Sequence, residues 1–268
     1  MSSITNSPDL TDSSAPVVGL SSSILNPSDL VGKAVLITGA SSGIGRATAL
    51  ALASSGMMVT CVDIAPPEQT VEAIRAAGGT ALGAVVNIAD DEAVRETIEQ
   101  AAAAYGRLDA VVNCAGIGDF TTLEQTTPEH WERQLAINLT GPFYLVRHAI
   151  PIMKAQGSGS IILFGSIAGK TGGLKNGPAY AAAKGGVHSL VKWAAKANAS
   201  AGIRVNSIAP GPVDTPFTQG QGFDPKTVPL GRMGEAADFS EAVSYLVSDA
   251  SSWITGQILN INGGLLME

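Results

Sequence analysis

From Lys33 onward, short wholly apolar runs alternate with longer stretches in which apolar residues recur at helical spacing. A run such as Ala-Val-Leu-Ile-Thr at 34–38 is too short for a helix and has no polar face, as expected of a parallel strand covered on both sides. The pattern predicts strands over 34–38, 58–62 (closing at Asp63), 80–86, 108–113, 160–165, 203–208 and 257–261. Between them it predicts helices over 46–55, 67–77, 128–154 with an interruption near Gly141-Pro142, 179–201 and 235–247. Another runs from an N-capping Asp90 to Tyr105 and closes at Gly106. Strands alternating with helices at this rhythm imply βαβ units, hence an α/β fold: a single Rossmann-like, doubly wound domain on a seven-stranded, mostly parallel sheet.

That domain is expected to span 28–268. Residues 1–27 are rich in Ser with scattered Pro and Asp, and predict a disordered leader that buries too little apolar surface to offset its ordering. No Lys or Arg precedes Lys33, which argues against a secretory signal or a mitochondrial presequence. A formal net charge of −7 without a basic cluster argues against nucleic-acid and anionic-membrane partners. No apolar run approaches the ~20 residues of a membrane span. Cys61 and Cys114 lie in apolar runs and read as reduced core residues of a cytoplasmic enzyme. His130, His148 and His188 fall on helices without metal-like spacing, read as surface or interface residues, and suggest no metal site. Trp131, Trp193 and Trp253 read as packing or subunit-interface residues.

The candidate chemistry lies in three places. Between the first strand and first helix runs Thr38-Gly39-Ala-Ser41-Ser42-Gly43-Ile44-Gly45. Glycines there let the backbone turn and approach a pyrophosphate seated on a helix N-terminus. At the end of the second strand, Asp63 is placed to accept hydrogen bonds from an adenine-side ribose and to repel a 2′-phosphate. Arg46 is the one cation nearby, so the balance favours NAD(H), with NADP(H) the lesser choice. On the long helix after Ser166, Tyr180 and Lys184 stand one turn apart on one face. An ammonium beside a phenol favours the phenolate and pulls its pKa toward the working range, which suits proton transfer to and from an alcohol oxygen.

With the glycine loop, Asn113-Cys-Ala115-Gly116, Ser166 and Tyr180-x-x-x-Lys184 in this order, the chain resembles the short-chain dehydrogenase/reductase family from about Leu30 to Leu265. It is similar to the branch holding 3-oxoacyl-carrier-protein reductases and secondary-alcohol dehydrogenases. The resemblance implies hydride transfer between NAD(H) and a secondary alcohol or ketone. Tyr180 would be the general acid/base, Lys184 the holder of the nicotinamide ribose, and Ser166 the group that polarises the substrate oxygen. Asn138 would support a water-linked proton relay to Lys184. Gly116 and its neighbours would pack the central ribose. Asn87 and Ile88 would contact adenine, where the family commonly has Asp-Val. Pro210, Gly211, Val213 and Thr215 match the loop after strand six, with Val213 and Thr215 expected at the carboxamide. The substrate would lie among residues 118–120, 168–169, 172–174 and a lid of 216–230. The strip 169–173 reads as flexible, with Lys170 solvated. The resemblance also implies a homotetramer or homodimer. A 3-oxoacyl-carrier-protein reductase and a non-catalytic NAD(H)-binding regulator on this fold are the alternatives.

Overall fold

The computed structural model describes residues 29–173 and 175–268, so the expected leader lies outside the described residues. The chain opens with β1 (Ala34–Thr38), α1 (Gly43–Ser54), β2 (Met58–Asp63), α2 (Glu68–Ala76), β3 (Thr80–Val85) and α3 (Asp91–Tyr105). It continues through β4 (Ala110–Asn113), α4 (Pro128–Leu135), α5 (Gly141–Gln156), β5 (Gly159–Phe164), α6 (Ala168–Thr171) and α7 (Pro178–Asn198). β6 (Ile203–Pro210), α8 (Ser240–Val247) and β7 (Ile258–Ile261) complete it. The seven strands are parallel and ordered β3-β2-β1-β4-β5-β6-β7.

The sheet has a core on each face, and the alternation along the strands sorts residues between them. Val35 and Ile37 of β1 and Ile162 and Phe164 of β5 pack with Leu52 of α1, Ile74 of α2 and Val243 of α8. Leu36, Ile161 and Leu163 point the other way, toward Ile98 of α3, Leu145 and Met153 of α5, and Val187 and Val191 of α7. Two buried faces explain why the strands read as unbroken apolar runs.

Three local expectations change. The interruption placed near Gly141-Pro142 is a π-helical turn, Ala136–Thr140, immediately before it. The Gly141 N–H bonds to the Ala136 carbonyl, five residues back. Pro142 has no N–H to give the Asn138 carbonyl, the partner it would have in an unbroken α-helix. Extra-wide turns of this kind are frequent at functional sites. The strip expected to be flexible instead contains α6, one short helix pressed on α7. A Cβ on Gly169 would lie 2.5 Å from the Lys184 carbonyl carbon, so only glycine allows the approach. Lys170 is not solvated; its side chain is 14% exposed and pairs with Glu268. His188 is buried on α7 rather than at the surface, beneath Gly165. His130 and His148 are partly buried and stand beside Asp119 and Asp91. Trp193 and Trp253 are exposed. Both cysteines are free. No helix among the described residues is long and apolar enough to cross a membrane, and no metal-binding cluster occurs among them.

A buried carboxylate ties the site's supports together. Asp119 Oδ1 accepts from the Thr121 amide (3.0 Å) and hydroxyl (2.6 Å), and stands 3.0 Å from His130 Nε2 on α4. The Asp119 carbonyl accepts the N–H of Gly177, the residue that precedes α7, at 2.8 Å. A Cβ on Gly177 would fall 2.2 Å from Asp119 Oδ2, which explains the glycine. Burial pushes the Asp119 pKa up, but hydrogen bonds from Thr121 and His130 outweigh it and hold the carboxyl below the usual aspartate range. A depressed folded-state pKa contributes stability above the unfolded value, which is lost as pH falls through the folded one. Asp119→Asn leaves a buried amide donor without a partner and is expected to cost about 1–3 kcal/mol in urea unfolding at pH 7. The deficit should shrink as pH falls below the unfolded-state value of about 4 and on through the lower folded-state value, where the wild-type carboxyl also protonates. Identical unfolding curves at pH 7 would show that Asp119 holds nothing.

Candidate active site

Between β1 and β4 the chain reverses its winding: β1 leads through α1 to β2, whereas β4 leads through α4 and α5 to β5 on the other side. In such sheets ligands bind at the carboxyl ends of the parting strands. A cleft of about 580 Å³ opens there. Its floor is glycine by necessity. A Cβ on Gly39 would lie 2.8 Å from the Ala115 nitrogen, and one on Gly45 2.1 Å from the Gly39 carbonyl oxygen. Gly39 also has φ +71°, a left-handed conformation that favours glycine. The turn delivers the cleft to the N-terminus of α1, whose Ser42 cap makes no side-chain hydrogen bond and whose first turn carries no acid. Free N–H groups and the positive end of the helix dipole suit a pyrophosphate.

Asp63 stands at the end of β2. Its Oδ2 accepts from the Ser41 amide (3.0 Å) and hydroxyl (2.5 Å), and Oδ1 from the Ala65 amide (3.2 Å). A carboxylate has about four lone-pair sites, so capacity remains for a ribose hydroxyl. Arg46 is exposed and does not line the cleft. The glycine cradle, the open helix N-terminus and the acidic strand end together fit a dinucleotide.

Ser166, just beyond β5, and Tyr180, on α7, both line the cleft, and the Ser166 hydroxyl accepts from the Ala168 amide at 3.1 Å. Burial raises the Tyr180 pKa to about 12, and the nearby Ser166 hydroxyl works against that rise. Lys184 Nζ sits 5.6 Å from the centre of the Tyr180 ring and donates to the Phe164 carbonyl at 2.8 Å. Burial pulls its pKa down to about 8, opposed by Cys114. The expected depression of the phenol pKa by the lysine is therefore absent from the protein alone. Desolvation dominates both groups, and it weakens the charge that was to act on the phenol.

Asn138 is buried within the π-turn. Its Oδ1 accepts from the Ile117 amide (3.1 Å), and its Nδ2 donates to the Ile117 carbonyl (3.0 Å) and to Gln134 Oε1 (2.7 Å). Gln134 in turn donates to the Gly118 carbonyl at 2.9 Å. A Cβ on Gly116 would stand 2.8 Å from Asn138 Oδ1 and 3.7 Å from Lys184 Nζ, so the carboxamide and the amine flank one glycine. Gln134 escaped the sequence reading, because its role is visible only once the loop after β4 folds back on α4.

Of the sequence-predicted residues, Gly39, Ser41, Ser42, Gly43, Ile44, Gly45, Asp63, Asn87, Ile88, Ala115, Gly116, Ser166, Tyr180, Lys184, Pro210, Gly211, Val213 and Thr215 all line the cleft. Asn113 and Asn138 do not. Asn113 is buried beneath the floor, where its Oδ1 accepts from the Thr38 hydroxyl at 2.6 Å. Asn87 Oδ1 accepts from the Ala89 amide, which leaves its amide nitrogen toward a ligand. Of the expected substrate wall, the segment after Thr215 lines the cleft through Pro216, Phe217, Thr218 and Phe223, joined by Asn176, whereas residues 118–120, 168–169 and 172–173 do not line it.

The model of the family described as Enoyl-(Acyl carrier protein) reductase matches residues 39–266. The chain is 38% identical over 239 residues to cis-4-hydroxycyclohexanecarboxylate dehydrogenase of Sinomonas cyclohexanicum, covering 87% of this chain and 96% of that one. It is 37% identical over 247 residues to a 3-oxoacyl-(acyl-carrier-protein) reductase of Thermotoga maritima, covering 89% and 99%. The crystal structure of a short-chain type dehydrogenase/reductase from Mycobacterium marinum superposes with a TM-score of 0.87 at 33% identity, covering 92% of this chain and all of that one. With a seven-stranded parallel sheet, a glycine floor at the β1–β4 parting and these relatives over nearly the whole described length, the chain belongs to the short-chain dehydrogenase/reductase family, oxidoreductases that work with a nicotinamide cofactor.

Proposed function

We propose that this enzyme interconverts a secondary alcohol and its ketone with NAD(H), using Tyr180 as the general acid/base. The observation that carries the proposal is the meeting of Ser166, Tyr180 and Lys184 in the cleft that also holds the glycine floor, with Lys184 one turn further along α7 than Tyr180. A bound nicotinamide supplies or accepts the hydride. In oxidation the carbinol carbon gives up its hydrogen with both electrons, the hydroxyl proton passes to the Tyr180 oxygen, and the C–O bond becomes the carbonyl. In reduction the protonated phenol returns that proton. Ser166 donates to the substrate oxygen and holds it within reach of Tyr180. Lys184 stands close enough to stabilise the phenolate and to bind a ribose hydroxyl. Asn138 secures the strand-four loop beside the lysine and anchors a water-linked route for the proton.

NAD(H) is favoured over NADP(H) because Asp63 is the charge at the ribose end and Arg46 faces elsewhere. The similarity to a 3-oxoacyl-(acyl-carrier-protein) reductase supports a second reading, in which the ketone is a 3-oxoacyl thioester. We place the enzyme in the cytoplasm, in keeping with two unpaired cysteines, as a homotetramer or homodimer. Exposed Phe143 and Trp131 on the α4–α5 side and Trp253 and Leu259 beside the β7 edge support the assembly.

Tyr180→Phe is expected to lower kcat by about 10²–10⁴-fold while NADH binding, followed by fluorescence titration, stays nearly unchanged. Retained turnover would remove Tyr180 from the acid/base role. With the phenolate as base and its pKa near 12, initial rates of alcohol oxidation should climb between pH 7 and pH 10, while rates of ketone reduction, which need the protonated phenol, should stay level; a flat oxidation profile would point to another proton carrier. Asp63→Ala should narrow the ratio of kcat/KM for NADH over NADPH by on the order of 10-fold or more, through lost ribose contacts and relieved repulsion. An unchanged ratio would move cofactor discrimination to other residues.

A further inference from the structure

The substrate end of the cleft is closed by aromatic rings from two distant segments. Phe217 and Phe223, on the segment after β6, line the cleft, and Phe120, on the loop after β4, backs both. The Phe217 ring centre lies 6.5 Å from Phe120 at 67°, and that of Phe223 6.4 Å from Phe120 at 72°. Both are edge-to-face arrangements, the favoured geometry for such pairs. Phe217 also lies 5.9 Å from the Tyr180 ring. Glycine at 118 makes room for this cluster, since a Cβ there would fall 2.9 Å from the Phe120 ring and 3.4 Å from Phe217. Lys175 Nζ sits 4.9 Å from the centre of the Phe223 ring and donates to the Gly222 carbonyl at 2.7 Å, which pins the lid over the rings. Its charge is directed at the lid. Of the cleft lining, Asn176, Pro216, Phe217, Thr218 and Phe223 carry no charge.

From this wall we propose that the substrate is a compact alicyclic secondary alcohol or its ketone, and that Phe217 and Phe223 set this preference. The inference rests on the oxidoreductase reading above and narrows it. The dinucleotide and the substrate share this one cleft, and the substrate is left the end beside Tyr180, Phe217 and Phe223. Phe217 and Phe223, held in place by Phe120 behind them, present apolar ring surface to this end, which suits a saturated ring that is apolar on every side but the carbinol. A long acyl chain with a polar thioester would have to run out past Phe217 and Phe223 and displace the Lys175 contact. The reaction balances as before: the ring carbinol loses a hydride to oxidised nicotinamide and a proton to Tyr180, and becomes a ring ketone.

The test uses the full chain with NAD(H). Initial rates are read for cyclohexanol, cyclohexanone, 2-octanol, 2-octanone and a 3-oxoacyl thioester, in the wild type, Phe217→Ala and Phe223→Ala. The expected result is the highest kcat/KM for the six-membered ring substrates. Phe217→Ala should shift the ratio of ring to linear substrate toward the linear one by on the order of 10-fold or more, chiefly through KM for the ring. The ratio cancels any general effect of the variant on Tyr180. Should Phe217→Ala fail to fold, Phe217→Leu and Phe223→Ala give the same comparison. As a readout independent of turnover, cyclohexanone should raise the wild-type Tm and raise that of the variant less. Linear ketone or thioester turned over as well as the ring, or ratios unmoved by both variants, would overturn the inference while leaving the oxidoreductase intact. No turnover of any substrate with either dinucleotide would instead bring down the oxidoreductase reading and this inference with it.

Discussion

A buried hydrogen bond from the Thr38 hydroxyl to the Asn113 carboxamide, 2.6 Å long, joins β1 and β4 where their chains turn to opposite faces of the sheet. The Ala115 amide reaches the same hydroxyl at 3.3 Å. These contacts bring the loop after β4 down onto Gly39, so closely that no side chain fits between them. The cleft follows from that constraint. Parallel strands that part in opposite directions leave a groove, and a floor without side chains lets a ligand lie against bare backbone.

The rest of the site is assembled on α7. α6 presses on it at Lys184 through Gly169, and Asp119 braces its first residues through Gly177. Val187 and Val191 anchor the following turns in the core. Tyr180 and Lys184 are thus positioned by packing at three points, and their burial explains their electrostatics. A phenol and an amine removed from water both favour their neutral forms.

Much of this was legible in the residues. Apolar runs marked the central strands because both faces of the sheet are covered there, and glycines marked the floor because the backbone conformation and close approach admit nothing else. Motif residues met in one cleft as their spacing implied, with Asn113 and Asn138 set behind the lining as supports. What escaped depended on contacts between distant segments. The π-turn arises from a shifted hydrogen-bond ladder, of which Gly141-Pro142 was the only trace in the sequence. Burial of His188 and the pairing of Lys170 with Glu268 depend on where α6 and the last residue settle. The meeting of Phe120 with Phe217 and Phe223 joins residues about a hundred positions apart, beyond any local pattern.

Lys184 has one more consequence. An amine whose pKa lies near 8 is largely uncharged under mildly alkaline conditions, whereas ordinary surface lysines remain ammonium. The neutral form is the nucleophile. Lys184 is only 5% exposed yet lines the cleft, so an occupant of the cleft would also screen the amine from solvent, and the charge state of the lysine is coupled to whether the site is filled.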